Sequence, residues 1–338
     1  MEKSGRRCRH PAELAPRAAR ALLVGLGLAA AAALPAGGHA QGYPQRPVRI
    51  VASVAPGSGP DVIARLFAHK YSERFGQSFI VENRPGAGGN IGAETVAKAP
   101  PDGHTLLLSS APQAIAATLF PKLAYDLVRD FAPVSFIAST PFLVVVHPSM
   151  PVRSLQELIA LARKHPGELL FGSGGVGTPP HLAAQMLKSA AKIEFVHVPY
   201  RSIMPAANDL VAGQIHFSIV VVPVALPLVR SGRLRALAVT TARRTALAPD
   251  LPAVAETIPG YEVIGWYGLL APAKTPREIV ERLHRETQAV LAQPDVVERL
   301  AALGTEPRPS TPESFAAFIR AEIEKWGRAV KESGARVE

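Results

Sequence analysis

The chain has 338 residues, 48% of them hydrophobic and 19% charged, with 37 Lys and Arg against 27 Asp and Glu and a formal net charge of +10. Its single cysteine excludes a disulfide framework. The basic residues form no dense cluster with interleaved aromatics, which argues against nucleic acid and leaves a solvated basic surface with mild attraction for anions.

Residues 1–20 carry Lys3, Arg6, Arg7, Arg9, Arg17 and Arg20, followed by an apolar stretch over 21–34 and by Gly38-His39-Ala40. This is the layout of a secretory signal peptide, residues 1–40, cleaved after Ala40. The apolar stretch is too short to span a hydrocarbon core of about 30 Å. Arg6-Arg7 runs into Cys8-Arg9-His10, a poor twin-arginine context, so the general secretion route is favoured, and Cys8 lacks a lipobox. Without these residues the net charge is +6 and no cysteine remains, so the exported protein must rest on its own hydrophobic core, expected as two lobes.

Residues 48–54 read as a buried strand and 61–75 as an amphipathic helix with Val62, Leu66 and Phe67 inward. Pro60 stands at the helix start, where a missing N–H costs nothing. Strands are expected at 79–81 and 105–108, with a helix at 93–98 between them. After an irregular stretch comes a β-branched run at 142–146. Ser154 and Glu157 form a capping-box start for a helix reaching Lys164. Strands at 169–171, 194–198, 214–222 and 234–240 then alternate with helices at 179–190, 204–212 and 223–231. Residues 241–260 form a connector, 261–270 a strand, and 276–292, 294–303 and 312–331 are helical. This alternation predicts an α/β fold of βαβ units with largely parallel sheets. The extended runs 136–147 and 261–271 are the candidate crossings. They place 43–143 plus 263–338 in lobe 1 and 144–262 in an inserted lobe 2, joined by a two-strand hinge that permits closure.

Three Gly-bearing turns follow strands and precede helices. In Ala55-Pro56-Gly57-Ser58-Gly59-Pro60-Asp61 the N–H groups of Gly57 to Gly59 can seat an anion, with Asp61 bracing the turn; a plain strand–helix turn is the other reading. Four glycines within 86–92 cost backbone entropy unless the backbone must approach something closely. Residues 172–177 match GxGxxG, but the acidic residue a dinucleotide site needs at the end of the next strand is absent, since Glu194 begins that strand. The same turn can hold a carboxylate through N–H groups and the Thr178 hydroxyl. No GxSxG, HExxH or paired SxxK and KTG motif occurs. His104, His147, His165, His181, His197 and His216 lack metal-ligand spacing and read as ordinary histidines. The pattern is that of a binder with no catalytic residues, no metal and no cofactor.

The blocks YPQRPVRIVASVAPGSGPDVIARL, VENRPGAGGNIGAETVAKAPPDGHTLLL, VPYRSIMPAANDLVAGQI, SGRLRALAVT, PDLPAVAET, GLLAPAKTP and STPESFAAFIRAEIEKWGRAVKESG resemble the periplasmic substrate-binding proteins of tripartite tricarboxylate transporters, the Bug family. The resemblance covers 43–334. It implies a type II-like, two-lobed periplasmic-binding-protein fold with a carboxylate in the cleft, delivered to membrane permease subunits by a monomeric receptor. By motif, the ligand-binding residues it implies are Gly57, Ser58, Gly59 and Asp61, then Ala87, Gly88 and Gly89, then Ser173, Gly174, Gly177 and Thr178 with Tyr200 and Arg201. Ser110, Ala111 and Trp266 are expected to close the site. Against the family's PGGGTD turn this chain has Ser58 and Pro60, and against its Lys-Gly it has Arg201-Ser202, which offers a bidentate carboxylate contact. Many relatives place an acid where Val220 stands. Without it a ligand ammonium is left unpaired, at roughly 1–3 kcal/mol or more. The expected ligand is therefore a carboxylate with an apolar or aromatic body and no amine. The alternatives are a ligand-sensing partner of a membrane signalling receptor and a periplasmic enzyme on the same scaffold.

Overall fold

The computed structural model describes residues 42–336; the expected signal peptide lies outside the described residues. Strand β1 (Val48–Ala52), helix α1 (Gly59–Phe75), β2 (Phe79–Asn83), α2 (Asn90–Ala97), β3 (Thr105–Ser110) and α3 (Ala111–Leu119) come first. β1 pairs in parallel with both β2 and β3. A short apolar strand such as VRIVA is buried on both faces when helices cover a parallel sheet, and all but Arg49 are fully buried here. The buried stripe of α1 runs through Ile63, Phe67 and Tyr71 at i, i+4 spacing, whereas Val62 and Leu66 are only half-buried. The Tyr71 hydroxyl lies 2.6 Å from Thr287 Oγ1 and fastens α1 to α8 (Arg277–Leu291).

The middle of the chain contributes β4 (Phe131–Val146), α4 (Leu155–Lys164), β5 (Leu170–Ser173), α5 (Pro179–Ala191), β6 (Val196–Pro199), α6 (Ile203–Val211), β7 (Phe217–Val221), α7 (Val222–Arg230) and β8 (Arg235–Val239). β5 pairs in parallel with β6 and β7. The chain ends with β9 (Ile264–Pro272), α8, α9 (Pro294–Ala302), the two-residue β10 (Glu306–Pro307) and α10 (Pro312–Ser333).

The sheet is mixed rather than largely parallel, because β4 and β9 run against their neighbours. β9 pairs antiparallel with β3 and with the first part of β4, and the last part of β4, from Phe142 to Val146, pairs antiparallel with β7 and β8. β4 is also much longer than the run expected at 142–146. Pro133, Ser135, Ser139 and Pro141 interrupt its apolar pattern, and register shifts fall at Pro133/Ser135 and Phe136/Ala138. The stretch read as irregular contains α3. Its signal was present as Ser110 followed by Gln113, whose Oε1 accepts from the Ser110 N–H at 2.9 Å.

Aromatic residues anchor the core. Phe136, Trp266, Phe315 and Phe318 pack edge to face under α10, with Trp266 and Phe136 centroids 6.3 Å apart. Phe171, Phe195 and Phe217 form a second cluster between β5, β7 and the segment leading into β6. Each such ring contributes about 1.5–3 kcal/mol on burial. Among the described residues no helix is long and apolar enough to cross a membrane.

Candidate functional site

Strand ends and helix starts meet around one cavity of two connected chambers. The first, about 300 Å³, is lined by Pro60, Phe142, Ile203, Val221, Gly265 and Tyr267 among others. The second, about 480 Å³, is lined by Ser53, Gly88, Gly89, Gln113, Leu119 and Val176 among others. Val54, Ser110, Pro112, Thr178 and Pro179 belong to both and form the waist.

The beginnings of six helices reach this wall: Pro60 of α1, Gly89 before α2, Ser110 to Pro112 at α3, Thr178 to Pro180 at α5, Ile203 of α6 and Val221 before α7. A helix start carries partial positive charge from its backbone dipoles, although Pro60, Pro112, Pro179, Pro180 and Pro223 supply no N–H at four of them. Among the described residues, no Asp, Glu, Lys, Arg or His lines either chamber. The polarity of the wall therefore comes from backbone groups, hydroxyls and the Gln113 amide.

Asp61 braces the first turn. Asp61 is 1% exposed, and its carboxylate accepts from the Gly57 N–H at 2.8 Å, Arg65 Nε at 2.9 Å and Asn83 Nδ2 at 2.7 Å. Burial raises the Asp61 pKa, but the bonds from Arg65, Asn83 and Gly57 outweigh it and hold the carboxyl below its usual range. Ser58 donates through Oγ to Ala55 O at 2.7 Å. Gly57, Ser58, Gly59 and Asp61 do not line either chamber, although Gly57 and Gly59 are exposed, and the neighbouring Val54 and Pro60 do.

The second turn carries positive φ at Gly86, Ala87, Gly88 and Gly89 in succession. Gly88 and Gly89 line the larger chamber, while Ala87 does not. A β-carbon on Gly89 would lie 2.5 Å from Gln113 Nε2, so only glycine lets α3 close against this turn.

In the turn after β5, Gly174, Gly177 and Thr178 line the cavity. Ser173 is fully buried below it, its Oγ 2.7 Å from His197 Nε2. The Gly177 N–H donates to His181 Nδ1 at 3.2 Å, and Thr178 Oγ1 donates to Gly175 O at 2.7 Å. His181 and His197 stack with centroids 4.2 Å apart. Burial, and then the neighbouring His197, pull His181 down to about 4. These two histidines, read from sequence as ordinary, brace the turn.

Three further residues, Val220, Arg201 and Tyr200, lie outside the wall. Val220 is buried in the core with Leu143, Leu210 and Val239, and the pleat turns Val221 to the cavity instead. Arg201 is exposed and outside the wall. Tyr200 donates to Asp209 at 2.7 Å and also lies outside it; burial and Asp209 push its phenol up to about 12. Trp266 borders the smaller chamber, but its ring packs against Phe136, Phe315 and Phe318, and its Nε1 donates to Glu322 at 3.0 Å. Ser110 and Ala111 line the wall where expected. Sequence reasoning missed Ser53, Gln113, Phe142 and Tyr267. Among the described residues no His, Cys, Asp and Glu group is arranged to hold a metal ion.

Residues 63–335 match the model of the family described as tripartite tricarboxylate transporter family receptor. The chain is 39% identical to the UPF0065 protein in the tcbD-tcbE intergenic region of Pseudomonas sp., over 95% of this chain and 96% of that one. It resembles the solved structure of Rpa4515 of R. palustris with adipate (37% identity, TM-score 0.75, 87% of this chain and all of that one). MatC from Rhodopseudomonas palustris with bound malate is similar at 34% identity and TM-score 0.71, over 85% of this chain and all of that one.

Proposed function

Because this chain belongs to the tripartite tricarboxylate transporter family of receptors, which are periplasmic solute-binding proteins and not enzymes, we propose that it captures a small organic carboxylate without an ammonium group and hands it to the membrane subunits of such a transporter. One observation carries the reading: six helix starts converge on a cavity whose described wall holds no Asp, Glu, Lys, Arg or His. An ammonium there would lose its water and meet no carboxylate. The similar proteins with adipate and malate support the carboxylate class.

In this reading the carboxylate sits at the waist, facing Ser110, Ala111 and Thr178, with Gly88, Gly89, Gly174 and Gly177 behind it, and the apolar body extends toward Phe142 and Val221. Residues 43–143 with 263–338 and residues 144–262 act as two lobes that close on the ligand. Export through residues 1–40 brings the receptor to the periplasm. A thermal-shift panel of mono- and dicarboxylates, aromatic acids and amino acids tests the ligand class. Saturation at 100 times Kd adds about 2.7 kcal/mol of stability, so a carboxylate without an amine gives a plain rise in Tm. A rise with an amino acid alone overturns the proposal.

A further inference from the structure

The smaller chamber has four hydroxyl-bearing side chains on its wall: Ser110, Thr140, Thr178 and Tyr267. Three donate within the protein. Ser110 Oγ donates to Gln113 Oε1 at 3.2 Å, Thr140 Oγ1 to Gly304 O at 2.9 Å and Thr178 Oγ1 to Gly175 O at 2.7 Å. Tyr267 has no hydrogen-bond partner among the described residues. The contrast with the other tyrosines is direct: the hydroxyls of Tyr71, Tyr125, Tyr200 and Tyr261 are bonded to Thr287, Asn90, Asp209 and the Ala183 carbonyl. Tyr267 is half-buried rather than sealed in the core, which leaves its hydroxyl open to a ligand in the chamber.

The pleat of β9 decides which way this side chain runs. A β-carbon on Gly268 would lie 2.1 Å from Phe315 Cζ, and Trp266 packs on the same Phe315 ring, so Trp266 and Gly268 share the α10 face. Gly265 and Tyr267 take the opposite face by strand alternation, and both border the smaller chamber, as Trp266 also does. Burial pushes the Tyr267 phenol up to about 12, so it keeps its proton throughout the physiological range and acts as a donor.

Resting on the carboxylate reading above, we infer that Tyr267 is a specificity-determining residue, donating its O–H to a neutral oxygen on the apolar body of the ligand. The ligand class is therefore a carboxylate bearing a neutral keto, hydroxyl or ether oxygen away from the carboxyl group.

Isothermal titration calorimetry with hexanoate, 5-oxohexanoate, 6-hydroxyhexanoate and adipate, on the wild type and Tyr267→Phe, tests this. The expected result is that one oxygen-bearing monocarboxylate binds the wild type about tenfold tighter than hexanoate, the worth of one neutral hydrogen bond. Tyr267→Phe removes that preference, bringing the oxygen-bearing acid down to the affinity of hexanoate, whereas a purely structural role would weaken all four acids alike. Hexanoate binding without an oxygen preference, or with one that survives in Tyr267→Phe, overturns the inference and leaves the carboxylate reading standing. Adipate as the tightest ligand in both proteins also overturns it. If none of the four acids binds, both readings fall.

Discussion

Gly177 and Leu119 touch: a β-carbon on Gly177 would lie 2.5 Å from Leu119 Cδ2, and Gly177 sits at φ +76°. The turn after β5 can therefore approach the end of α3 only because residue 177 has no side chain. Gly177→Ala adds a left-handed penalty of about 1–2 kcal/mol to this overlap. Ligand affinity is expected to fall at least about tenfold, which is about 1.4 kcal/mol. Adding Leu119→Ala should restore the steric part and not the backbone part. Calorimetry on the single and double variants checks this, and wild-type affinity in Gly177→Ala would remove the contact from the site.

Asp61→Ala removes the acceptor of the Gly57 N–H and one partner each of Asn83 Nδ2 and Arg65, which keep Val54 O and Asn83 Oδ1. A loss of about 3 kcal/mol is expected. Affinity should fall with it, because Val54 and Pro60 flank the turn that Asp61 holds. Urea denaturation gives the first quantity and calorimetry the second. An unchanged denaturation midpoint would contradict the bracing role.

The residues at this brace show what the sequence could reveal. Asp61 was legible because a carboxylate two residues past a Gly-Ser-Gly turn can fold back only onto that turn's amides. The glycine turns were legible because positive φ, as at Gly57, Gly88 and Gly177, is costly for any other residue. Val221 was not, since three consecutive valines give no clue to which one the pleat turns toward the cavity. The same one-residue ambiguity hid Tyr267 behind Trp266. Arg201 misled because its chemistry suited a carboxylate, while its direction depends on how α6 packs. β4 was obscured by its own prolines and serines, and only its pairing with β9 reveals it as one strand.

The stacked histidines predict a pH dependence. His181 is 4% exposed and held near 4 by burial and by His197, against an ordinary value of about 6.5. Of the elements packed on α5, strands β5 and β7 and helix α3 contain no ionisable side chain. α10 carries Glu313, Arg320, Glu322, Glu324, Lys325, Arg328, Lys331 and Glu332. The charge that acts on His181 is His197. Between pH 6.5 and 4 the unfolded chain binds the proton that the folded one refuses, so stability is full above this window and falls as pH drops through it. The loss is on the order of 2–3 kcal/mol. His181→Gln should flatten the slope of Tm against pH over that range, and an unaltered slope would contradict the assignment.

Glu322 is 3% exposed and accepts from the indole N–H groups of both tryptophans of the chain, Trp266 at 3.0 Å and Trp326 at 2.8 Å, and pairs with Lys325. Glu322→Ala strands two buried donors and a lysine, at about 3–5 kcal/mol. Because Trp266 borders the smaller chamber, the variant should also shift the tryptophan emission maximum and weaken its response to ligand. Fluorescence titration beside thermal denaturation measures both. Unchanged emission with normal stability would contradict this arrangement.

The attraction of converging helix starts for negative charge is tested most directly by titrating the tightest-binding acid of the thermal-shift panel against its own methyl ester in the calorimeter. The pair share a body and differ in the charge. The account predicts that the acid binds and that the ester is at least about a hundredfold weaker, a difference of about 2.7 kcal/mol. Equal affinity for the two would contradict it.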